Sequence, residues 1–400
     1  MNLTIQPSRL HGTVTVPPSK SVAHRALIAA ALAGEGGCVY HLPQGADVLA
    51  TLRALSALGV SWERAGNAVR VARGIPPFAA GSPLFCGESG STLRFLLPLC
   101  LLDGRERCLG AAPALLARPM GVYETLCREC GFLYAAGAGG IRVAGRLFAG
   151  DYTIPGDVSS QFASGLLFAL PLLSGHSVLH LLPPVESVPY LHMTEAVLSA
   201  FGVSVCRTAD GYRIPGAQRY TPADVTVPGD ASGAANFLAL RALGQEVTVV
   251  GNDESGLQGD VVAENYLAAL RSPGAVLDVQ NCPDLAPILL VVAALTHGGR
   301  LRGTRRLAFK ESDRARSMAE ELQKCGCRVT VEENAISVTG GARAPSVPLA
   351  SHGDHRVAMA LGVLLCLVGG TLTGAEAVEK SMPDFFSRLR ALGAVTEETE

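Results

Sequence analysis

The chain has 400 residues, a length that predicts about two or three domains rather than one. It is 48% hydrophobic and 17% charged, with 45 Gly and 24 Pro, which excludes a disordered chain and a coiled coil. The formal net charge is -2 and aromatic residues make up only 5%, so we expect no nucleic-acid partner and no anionic membrane partner.

The sequence predicts a cytoplasmic protein with no membrane-spanning segment. Its first residues, MNLTIQPSRLHG, lack the basic region and the apolar stretch of a secretory leader. The longest apolar stretches, 285–295 and 357–368, are shorter than the ~20 residues that cross a bilayer, so we interpret them as buried helices. Eleven cysteines scattered through such a chain are typical of reduced cytoplasmic thiols.

Six polar turns recur along the chain, each followed by an apolar run of helical length. The turns are PPSKS near Lys20, GESGST near Gly90, GDVSSQ near Ser159, GDASGAA near Ser232, NCPDLAP near Asp284 and HGDHR near Asp354. The runs, for example ALIAAALAG and APILLVVAALTHGG, are apolar around the whole helix, and most end at Gly. This pattern predicts a repeated architecture with six helices buried on all sides.

A second helix with one apolar face follows in each unit of the repeat. Examples are ATLRALSALGVSW, MTEAVLSAFGVSV, RARSMAEELQKCGCRV and FFSRLRALGAV, each closed by a Gly. Short β-rich stretches, GCVYHL, SVLHLL, EVTVVG, GRLRGT and GTLTG, lie beside these helices. The six units predict an α/β protein of two domains with three units each, joined near residues 222–229.

Each polar turn is expected at the N-terminus of a buried helix, where free N–H groups and the helix dipole attract anions. Taken singly, an Arg near such a turn is more simply a surface charge or the partner of a carboxylate. The coincidence of basic residues with helix starts instead favours a site for small molecules that carry several phosphates and carboxylates. The residues concerned are Lys20, Arg25, Arg94, Arg118, Lys310, Arg314, Arg356 and Lys380, joined by Ser159, Ser160 and Gln161.

Carboxylates at the same turns are candidates for proton transfer. Asp284 lies in NCPDLAP, Glu311 in KESDR and Asp354 in GDHR. Helix N-capping is the alternative explanation for Asp284, Asp313 and Asp354, and for Asp313 it is the better one. Glu311 is harder to explain as a cap. A carboxylate between two cations is held ionised, which suits proton transfer if substrate binding changes its surroundings.

Motifs for bound cofactors are absent from the sequence. It contains no GxxxxGK[ST], and no GxGxxG follows a strand, so nucleotide binding has no support. It has neither HExxH nor GxSxG, and its nine His residues show no metal-ligand spacing. We therefore expect chemistry on a small polyanion with no metal and no organic cofactor.

Taken together, the turn motifs resemble those of the enolpyruvyl transferase family, and within it the EPSP synthases. The matching pieces run in order through almost the whole chain: SKSxxxR, GxSGSTxR, RPM, GDVSSQF, GDASGAANF, PDLAP, KESDR, GDHRVAMA and KSMPDFF. One such motif alone is a weak signal, whereas nine in order are a strong one.

The resemblance implies two domains, each a threefold repeat built as an inside-out α/β barrel, with the active site in the cleft between them. It places the first domain at 20–228 and the second at 1–19 plus 229–400. The implied reaction moves the enolpyruvyl group of phosphoenolpyruvate to the 5-hydroxyl of shikimate 3-phosphate, giving 5-enolpyruvylshikimate 3-phosphate and phosphate on the shikimate pathway to chorismate and aromatic amino acids. A monomer without metal or cofactor is expected.

The resemblance also implies roles for single residues. Asp284 would take the proton from the attacking hydroxyl, and Glu311 with Lys20 would manage protonation of the phosphoenolpyruvate methylene carbon. The residues implied to bind shikimate 3-phosphate are Lys20, Ser21, Arg25, Ser159, Ser160, Gln161, Ser187, Tyr190, Asp284 and Lys310. Those implied to bind phosphoenolpyruvate are Lys20, Gly90, Arg118, Gln161, Arg314, Arg356 and Lys380.

Three positions depart from the family pattern. Glu88 stands where Asn commonly precedes the Gly of the second turn, His24 replaces the usual Asn before Arg25, and Arg306 stands where an Asn often contacts the shikimate phosphate. Gly90 is retained, so the resemblance implies open space beside phosphoenolpyruvate and sensitivity to glyphosate.

Two other functions stay open. The sister enzymes that act on UDP-N-acetylglucosamine typically carry a reactive Cys five residues before the Arg matched by Arg118, where this chain has Pro113, and KESDR is not expected in them. An inactive ligand-binding relative is suggested by the departures from the family pattern. The joint retention of Lys20, Asp284 and Glu311 speaks against it.

Overall fold

The computed structural model describes residues 1–34, 37–74 and 83–399. The chain divides into two compact units. The first unit is Pro18–Val227, and the second unit combines Met1–Pro17 with Pro228–Glu400. The amino-terminal segment therefore belongs to the second unit, to which it contributes two strands.

Strands and helices alternate along the described residues. The strands are β1 (Asn2–Gln6), β2 (His11–Thr15), β3 (Cys38–Tyr40), β4 (Ser61–Ala65), β5 (Ala68–Arg73), β6 (Leu84–Phe85), β7 (Arg107–Gly110), β8 (Leu133–Gly137), β9 (Gly140–Ala144), β10 (Asp151–Pro155), β11 (Ser177–Leu182), β12 (Cys206–Thr208), β13 (Gly211–Ile214), β14 (Val225–Thr226), β15 (Glu246–Val250), β16 (Val276–Asp278), β17 (Gly299–Arg302), β18 (Val329–Glu332), β19 (Ala335–Val338), β20 (Leu349–Ala350), β21 (Gly370–Thr373) and β22 (Val395–Thr399). The α-helices are α1 (Lys20–Ala33), α2 (Ala46–Ala57), α3 (Gly90–Cys100), α4 (Pro113–Leu116), α5 (Gly121–Glu129), α6 (Ser160–Ala169), α7 (Val188–Ala200), α8 (Ala231–Ala242), α9 (Ala263–Ala269), α10 (Ala286–Leu295), α11 (Arg314–Lys324), α12 (His355–Val368) and α13 (Phe385–Ala391). Short 3₁₀ turns cover Leu170–Leu172, Gly259–Val262, Pro283–Leu285, Arg305–Phe309 and Ala375–Lys380.

The described part of the first unit contains three four-stranded sheets of one design, with strand orders β14-β3-β5-β4, β6-β7-β9-β8 and β10-β11-β13-β12. In each sheet the first two strands are parallel and the others pair antiparallel. Parallel neighbours need a crossover. The buried helix supplies it where α3 joins β6 to β7 and where α6 joins β10 to β11.

The second unit repeats this design in two sheets of its described residues, β16-β17-β19-β18 and β20-β21-β1-β22. A parallel pair of strands, β15-β2, takes the place of a third sheet. Here α10 joins β16 to β17 and α12 joins β20 to β21. Because β1 lies between β21 and β22, the amino terminus completes a sheet whose other strands come from the end of the chain.

Each predicted polar turn is followed by a buried helix, as the sequence pattern indicates. These helices are α1, α3, α6, α8, α10 and α12. In α10, for example, every residue from 286 to 294 is buried. The helices form the centre of two hydrophobic cores, one in each unit, in which a fully buried Leu contributes about 1.5–3 kcal/mol. Among the described residues, each helix is too short or too polar to cross a bilayer.

The close packing of α3 against α6 depends on Gly165. A Cβ at this position would lie 2.3 Å from both the Arg94 carbonyl oxygen and the Tyr123 hydroxyl, so only glycine fits. The Tyr123 hydroxyl in turn lies 2.8 Å from the Arg94 carbonyl and 2.9 Å from the Phe162 carbonyl. This contact places the first turn of α3 beside the first turn of α6.

Candidate active site

The residues predicted for the site fall into two sets, one in each unit. The first unit holds Lys20, Ser21, Arg25, Gly90, Arg118, Ser159, Ser160, Gln161, Ser187 and Tyr190. The second unit holds Asp284, Lys310, Glu311, Arg314, Arg356 and Lys380.

The predicted turns of the first unit lie at helix starts. Helix α1 begins at Lys20, α3 at Gly90 and α6 at Ser160. Ser159 caps α6, because its Oγ accepts a hydrogen bond from the Gln161 N–H at 3.3 Å. The remaining N–H groups of each first turn lack helical partners, and the helix dipole adds positive potential there. These ends are suited to bind anions.

Gly90 lies beside a cluster of polar side chains. A Cβ at Gly90 would stand 3.1 Å from Nη1 of Arg118, so the guanidinium packs against the glycine backbone. Gln161 joins α6 to α3, since its Oε1 accepts from Arg94 at 2.8 Å and its Nε2 donates to Ser91 Oγ at 2.9 Å. The sequence marks Arg94 as a basic residue of the turn, and it contacts Gln161, one of the predicted site residues.

Lys20 is held by a carboxylate that sequence reasoning missed. Its Nζ lies 2.8 Å from Oδ2 of Asp47, and the two side chains are 14% and 11% exposed. Asp47 lies in the first turn of the amphipathic helix α2. The available signal was an acidic residue at the start of a covering helix, in GADVLA, but nothing local connects it with Lys20.

Arg25 is buried among neutral groups. Its guanidinium donates to Thr194 Oγ1 at 2.8 Å, to the Ser21 carbonyl at 2.7 Å and to the Tyr190 carbonyl at 3.0 Å. It also lies over the Phe95 ring, 5.0 Å from the centroid. Burial lowers the pKa of Arg25 to about 10, which leaves it charged at neutral pH. The contacts fix Ser21 and Tyr190 around a positive charge that they do not neutralise.

Ser187 immediately precedes α7 and is buried in a left-handed conformation with φ of 57°. A residue other than glycine is uncommon in this conformation and is typical of backbone held by its surroundings. Ser160, at the first position of α6, is also buried. Both serines therefore have fixed backbones.

Three acidic residues of the second unit are helix N-caps, whereas Asp284 is not. Asp230, Asp313 and Asp354 each accept from a backbone N–H two or three residues later, at 3.1, 3.2 and 2.8 Å. N-capping is thus confirmed for Asp313 and Asp354. Asp284 lies in the 3₁₀ turn before α10 and makes no capping bond. Its carboxylate is committed to side chains instead.

Arg314 binds three carboxylates at once. Its guanidinium lies 2.7 Å from Asp284, 2.8 Å from Glu311 and 2.8 Å from Asp354, and the side chain is 1% exposed. Burial would lower the pKa of Arg314, but the carboxylates, led by Asp354, raise it well above its ordinary value. Arg314 therefore fixes the two candidate proton carriers, Asp284 and Glu311, next to each other.

Asp284 contacts two further cations. Its Oδ1 lies 3.1 Å from Lys310 Nζ, and its Oδ2 lies 3.5 Å from Arg356 Nη2. Burial would raise the pKa of Asp284, but Lys310, Arg314 and Arg356 outweigh it and hold the pKa well below its ordinary value. Burial lowers the pKa of Lys310. Asp284 is therefore ionised and surrounded by positive charge.

Arg356 offers buried donors that the described residues do not engage. Its side chain is 5% exposed, and its Nε and Nη1 have no hydrogen-bond partner in the described part of the chain. Its Nη2 lies 3.5 Å from Asp284 and 4.0 Å from Asp230. Nearby in the same unit, Lys380 Nζ donates to the Gly353 carbonyl at 2.7 Å, in the loop before α12. Unpaired guanidinium donors suit a phosphate or carboxylate ligand.

A second carboxyl that sequence reasoning missed, Asp260, is 2% exposed. Its Oδ2 accepts from the Ser232 hydroxyl, and its Oδ1 has no hydrogen-bond partner among the described residues. Burial, reinforced by repulsion from Asp284, raises the pKa of Asp260 to about 7 against the opposing charge of Arg356. Its only sequence signal was the acidic residue of LQGDVV, in an otherwise ordinary loop.

The three departures from the family pattern differ in their surroundings. Glu88 is exposed. Arg306 is 4% exposed and lies in the 3₁₀ turn before Lys310. His24 is 1% exposed and hydrogen-bonds to Thr51, so it belongs to the interior of the first unit.

One group of potential metal ligands, Glu320, Glu321 and His352, lies outside these sets. Glu321 is buried and accepts from Lys324 Nζ at 2.7 Å, from the Ala350 N–H at 2.9 Å and from His352 Nε2 at 2.8 Å. Because Lys324 already balances the carboxylate, we interpret this group as a structural network that holds the loop before Asp354.

Comparison with known proteins finds one family along nearly the whole chain. The family model for EPSP synthase (3-phosphoshikimate 1-carboxyvinyltransferase) matches residues 5–389. The 3-phosphoshikimate 1-carboxyvinyltransferase of Clostridium kluyveri is 36% identical over 420 residues, which cover 99% of this chain and 98% of the relative. The enzyme of the same name from Methanocorpusculum labreanum is also 36% identical, over 98% of this chain and 99% of its own.

Solved structures give the same result at the level of the fold. The chain superimposes on an EPSP synthase from Acinetobacter baumannii with a TM-score of 0.81 and 25% identity, over 99% of this chain and 100% of that one. The similarity spans both units.

Proposed function

This chain belongs to the EPSP synthase (3-phosphoshikimate 1-carboxyvinyltransferase) family, and from that premise we propose that it transfers the enolpyruvyl group of phosphoenolpyruvate to the 5-hydroxyl of shikimate 3-phosphate. The products are 5-enolpyruvylshikimate 3-phosphate and phosphate, on the pathway to chorismate and the aromatic amino acids. The reaction needs a base at the hydroxyl, an acid at the methylene carbon and cations around the phosphate.

The observation that carries the proposal is the contact of Asp284 with three cations. Lys310, Arg314 and Arg356 keep Asp284 ionised before substrate arrives, so it is ready to accept a proton. Binding of phosphoenolpyruvate to Arg314 and Arg356 would offset part of this positive charge. The pKa of Asp284 would then rise, and it would become a stronger base when both substrates are bound.

The residues supply each proton step. Asp284 takes the hydroxyl proton as the oxygen bonds to the central carbon of phosphoenolpyruvate, and Glu311 with Lys20 delivers a proton to the methylene carbon. That carbon then returns a proton to Glu311 and Lys20 while phosphate leaves the central carbon, which restores the double bond. The remaining proton, on Asp284, is released with phosphate. The contact of Arg314 with both Asp284 and Glu311 supports this assignment, because it holds base and acid side by side.

We assign binding of the anionic groups to the turns. In this assignment shikimate 3-phosphate is bound by Lys20, Ser21, Arg25, Ser159, Ser160, Gln161, Ser187, Tyr190, Asp284 and Lys310. Phosphoenolpyruvate is bound by Lys20, Gly90, Arg118, Gln161, Arg314, Arg356 and Lys380. The unpaired donors of Arg356 and the fixed environment of Arg25 support these assignments.

From family membership we also infer the architecture of each unit, the closure of the two domains, and the location, oligomeric state and inhibition of the enzyme. Each unit is an inside-out α/β barrel, and the two units are the family's two domains, which close on the substrates. The enzyme is a cytoplasmic monomer that glyphosate inhibits. A smaller radius of gyration in solution scattering when shikimate 3-phosphate is added would support closure, and an unchanged radius would contradict it.

Phosphate release tests the function directly. Protein mixed with phosphoenolpyruvate and shikimate 3-phosphate is expected to release phosphate, whereas either compound alone is not. Release with UDP-N-acetylglucosamine in place of shikimate 3-phosphate would establish the sister activity. Binding of both substrates without any release would establish an inactive relative.

Isosteric substitution tests the proton carriers. We expect Asp284→Asn to lower kcat about a thousandfold while shikimate 3-phosphate still binds, because the amide cannot accept the proton. Lys20→Ala and Glu311→Ala are expected to lower turnover by orders of magnitude, because alanine cannot deliver a proton to the methylene carbon. Asp313→Asn, at a nearby helix cap, is the control and should keep kcat. Near-wild-type turnover in Asp284→Asn would refute the assigned role.

A further inference from the structure

A buried chain of hydrogen bonds links α1 to the first turn of α3 in the first unit, by way of α2. His24 Nδ1 lies 2.7 Å from Thr51 Oγ1, which lies 2.6 Å from Thr92 Oγ1. Thr92 Oγ1 donates to Ser89 Oγ at 2.7 Å, and Ser89 Oγ also accepts from the Thr92 N–H at 3.2 Å. All four side chains are at most 1% exposed, so water does not compete for these bonds.

The direction of the chain follows from the number of hydrogens available. Each hydroxyl donates once, so if Thr92 donates to Ser89, then Thr51 donates to Thr92 and His24 donates to Thr51 from Nδ1. His24 Nε2, which is buried without a hydrogen-bond partner among the described residues, is then a bare acceptor. Thr92 is the donor in its bond to Ser89, and this selects the stated direction over the reverse.

The surroundings of His24 fit a neutral imidazole. Burial, with the positive charges of Lys20 and Arg25, lowers the pKa of His24 well below its ordinary value. A neutral imidazole carries one N–H, and the chain uses it at Nδ1.

The chain of hydrogen bonds ends at the turn that carries Gly90. Ser89 is the N-cap of α3, so its hydroxyl fixes the backbone immediately before Gly90. Thr51 lies on α2 one helical turn after Asp47, the partner of Lys20. Helix α2 therefore holds two functional turns by separate side chains, Asp47 for the first and Thr51 for the second.

We propose that His24 and Thr51 are positioning residues, which hold the Ser89–Gly90 turn in place through this chain and so set the affinity for phosphoenolpyruvate. The proposal rests on the proposed function for the identity of the ligand. Neither residue touches the substrate in this assignment. They act through Ser89, whose position determines where the N–H groups of the Gly90 turn point. The chain of hydrogen bonds does not include Lys20 or Asp47. The affinity for shikimate 3-phosphate should therefore not depend on these hydrogen bonds.

Removal of the central hydroxyl tests the proposal kinetically. Thr51→Val keeps the shape of the side chain but interrupts the chain of hydrogen bonds. We expect the KM for phosphoenolpyruvate to rise roughly tenfold. The KM for shikimate 3-phosphate and kcat should change less than about twofold. Thr51→Ser restores the hydroxyl and should restore the KM. Ser56→Ala is the matched control, because it removes a hydroxyl of the same helix whose hydrogen bond, accepted from the Trp62 indole N–H, is solvent-exposed.

The tautomer of His24 gives a readout that does not need activity. Long-range proton–nitrogen NMR of the wild-type protein should show His24 neutral and protonated at Nδ1. An imidazolium or an Nε2–H tautomer would overturn the proposal, as would an unchanged KM for phosphoenolpyruvate in Thr51→Val. If wild-type protein shows the expected tautomer but turns over neither substrate, the proposed function fails while the hydrogen-bond chain stands.

Discussion

Arg25 in the first unit and Arg314 in the second occupy similar positions, but one has neutral hydrogen-bond partners and the other has carboxylate partners. Each lies near the start of a helix and is 1% exposed. Arg25 donates to a hydroxyl and two carbonyls, and burial lowers its pKa to about 10. Arg314 binds three carboxylates, which raise its pKa well above the ordinary value.

The difference separates two uses of a buried cation. A guanidinium with neutral partners keeps a positive charge that an anion can neutralise, as binding of a phosphate requires. A guanidinium that already binds several carboxylates instead fixes the positions of those carboxylates relative to one another. The first unit thus carries features of anion binding, and the second unit combines cations with the acids that proton transfer requires.

Replacement of each guanidinium tests whether the different partners of the two arginines give them different contributions to stability. Arg314→Met leaves the buried Asp354 and the partly buried Asp284 and Glu311 without their shared partner, and we expect the free energy of unfolding to fall by about 3 to 5 kcal/mol. Arg25→Met leaves only neutral groups unpaired, so a loss of about 1 to 2 kcal/mol is expected. Equilibrium unfolding in urea at neutral pH measures both. Equal losses would show that the partners of the two arginines do not distinguish them.

Two acids of the second unit, Asp260 and Asp284, have pKa values that are shifted in opposite directions, because burial dominates at Asp260 and the surrounding cations outweigh burial at Asp284. The pKa of Asp260 is raised to about 7, above its unfolded value of about 3.9. Its contribution to stability is therefore present below about pH 4 and is lost as the pH rises through 7. An amide in place of this carboxyl does not titrate, so it would carry no such dependence.

We accordingly expect Asp260→Asn to become more stable than the wild type as the pH rises from about 4 to 7, by about 2 to 4 kcal/mol in total. The amide can still accept from Ser232, so the hydrogen bond is not the variable. Unfolding free energies of both proteins at pH 5 and pH 8 measure the effect. A stability difference that does not change with pH would contradict the assigned environment of Asp260.

The sequence could predict the repeat because each turn and helix is encoded locally. Apolar runs without a polar face predicted the buried helices, and the Gly that ends each amphipathic helix has positive φ, as at Gly202 and Gly326. The pairing of β1 with β21 and β22 could not be predicted, since those strands lie at the opposite end of the chain and carry no register signal.

In the candidate site, too, local contacts could be predicted from the sequence and long-range contacts could not. Glu311 and Arg314 are neighbours within KESDR, so their contact was visible in the sequence. Arg314 meets Asp284 and Asp354 from 30 and 40 residues away, and only the folded chain shows that one guanidinium holds all three acids. Asp47 and Asp260 were missed because the role of a buried carboxyl depends on its tertiary partners.

The smallest expected effect concerns the first unit alone. A Cβ at Gly90 would stand 3.1 Å from Nη1 and 3.4 Å from Cζ of Arg118, closer than most real Cβ contacts, so the guanidinium must move by a few tenths of an ångström. If Arg118 binds phosphoenolpyruvate, Gly90→Ala should raise the KM for it severalfold, up to about tenfold. The N–H of residue 90 and the cap at Ser89 are kept, so kcat should change little.

Inhibition by glyphosate distinguishes a local steric effect at residue 90 from a displacement of the whole turn. Its phosphonate and carboxylate would occupy the space beside Gly90, so Gly90→Ala should raise the inhibition constant measured in competition with phosphoenolpyruvate by at least as much as it raises the KM. The KM for shikimate 3-phosphate should stay unchanged. If it rose in parallel, the substitution would have displaced the helix start as a whole, and the first unit would not bind its two anions through separable turns.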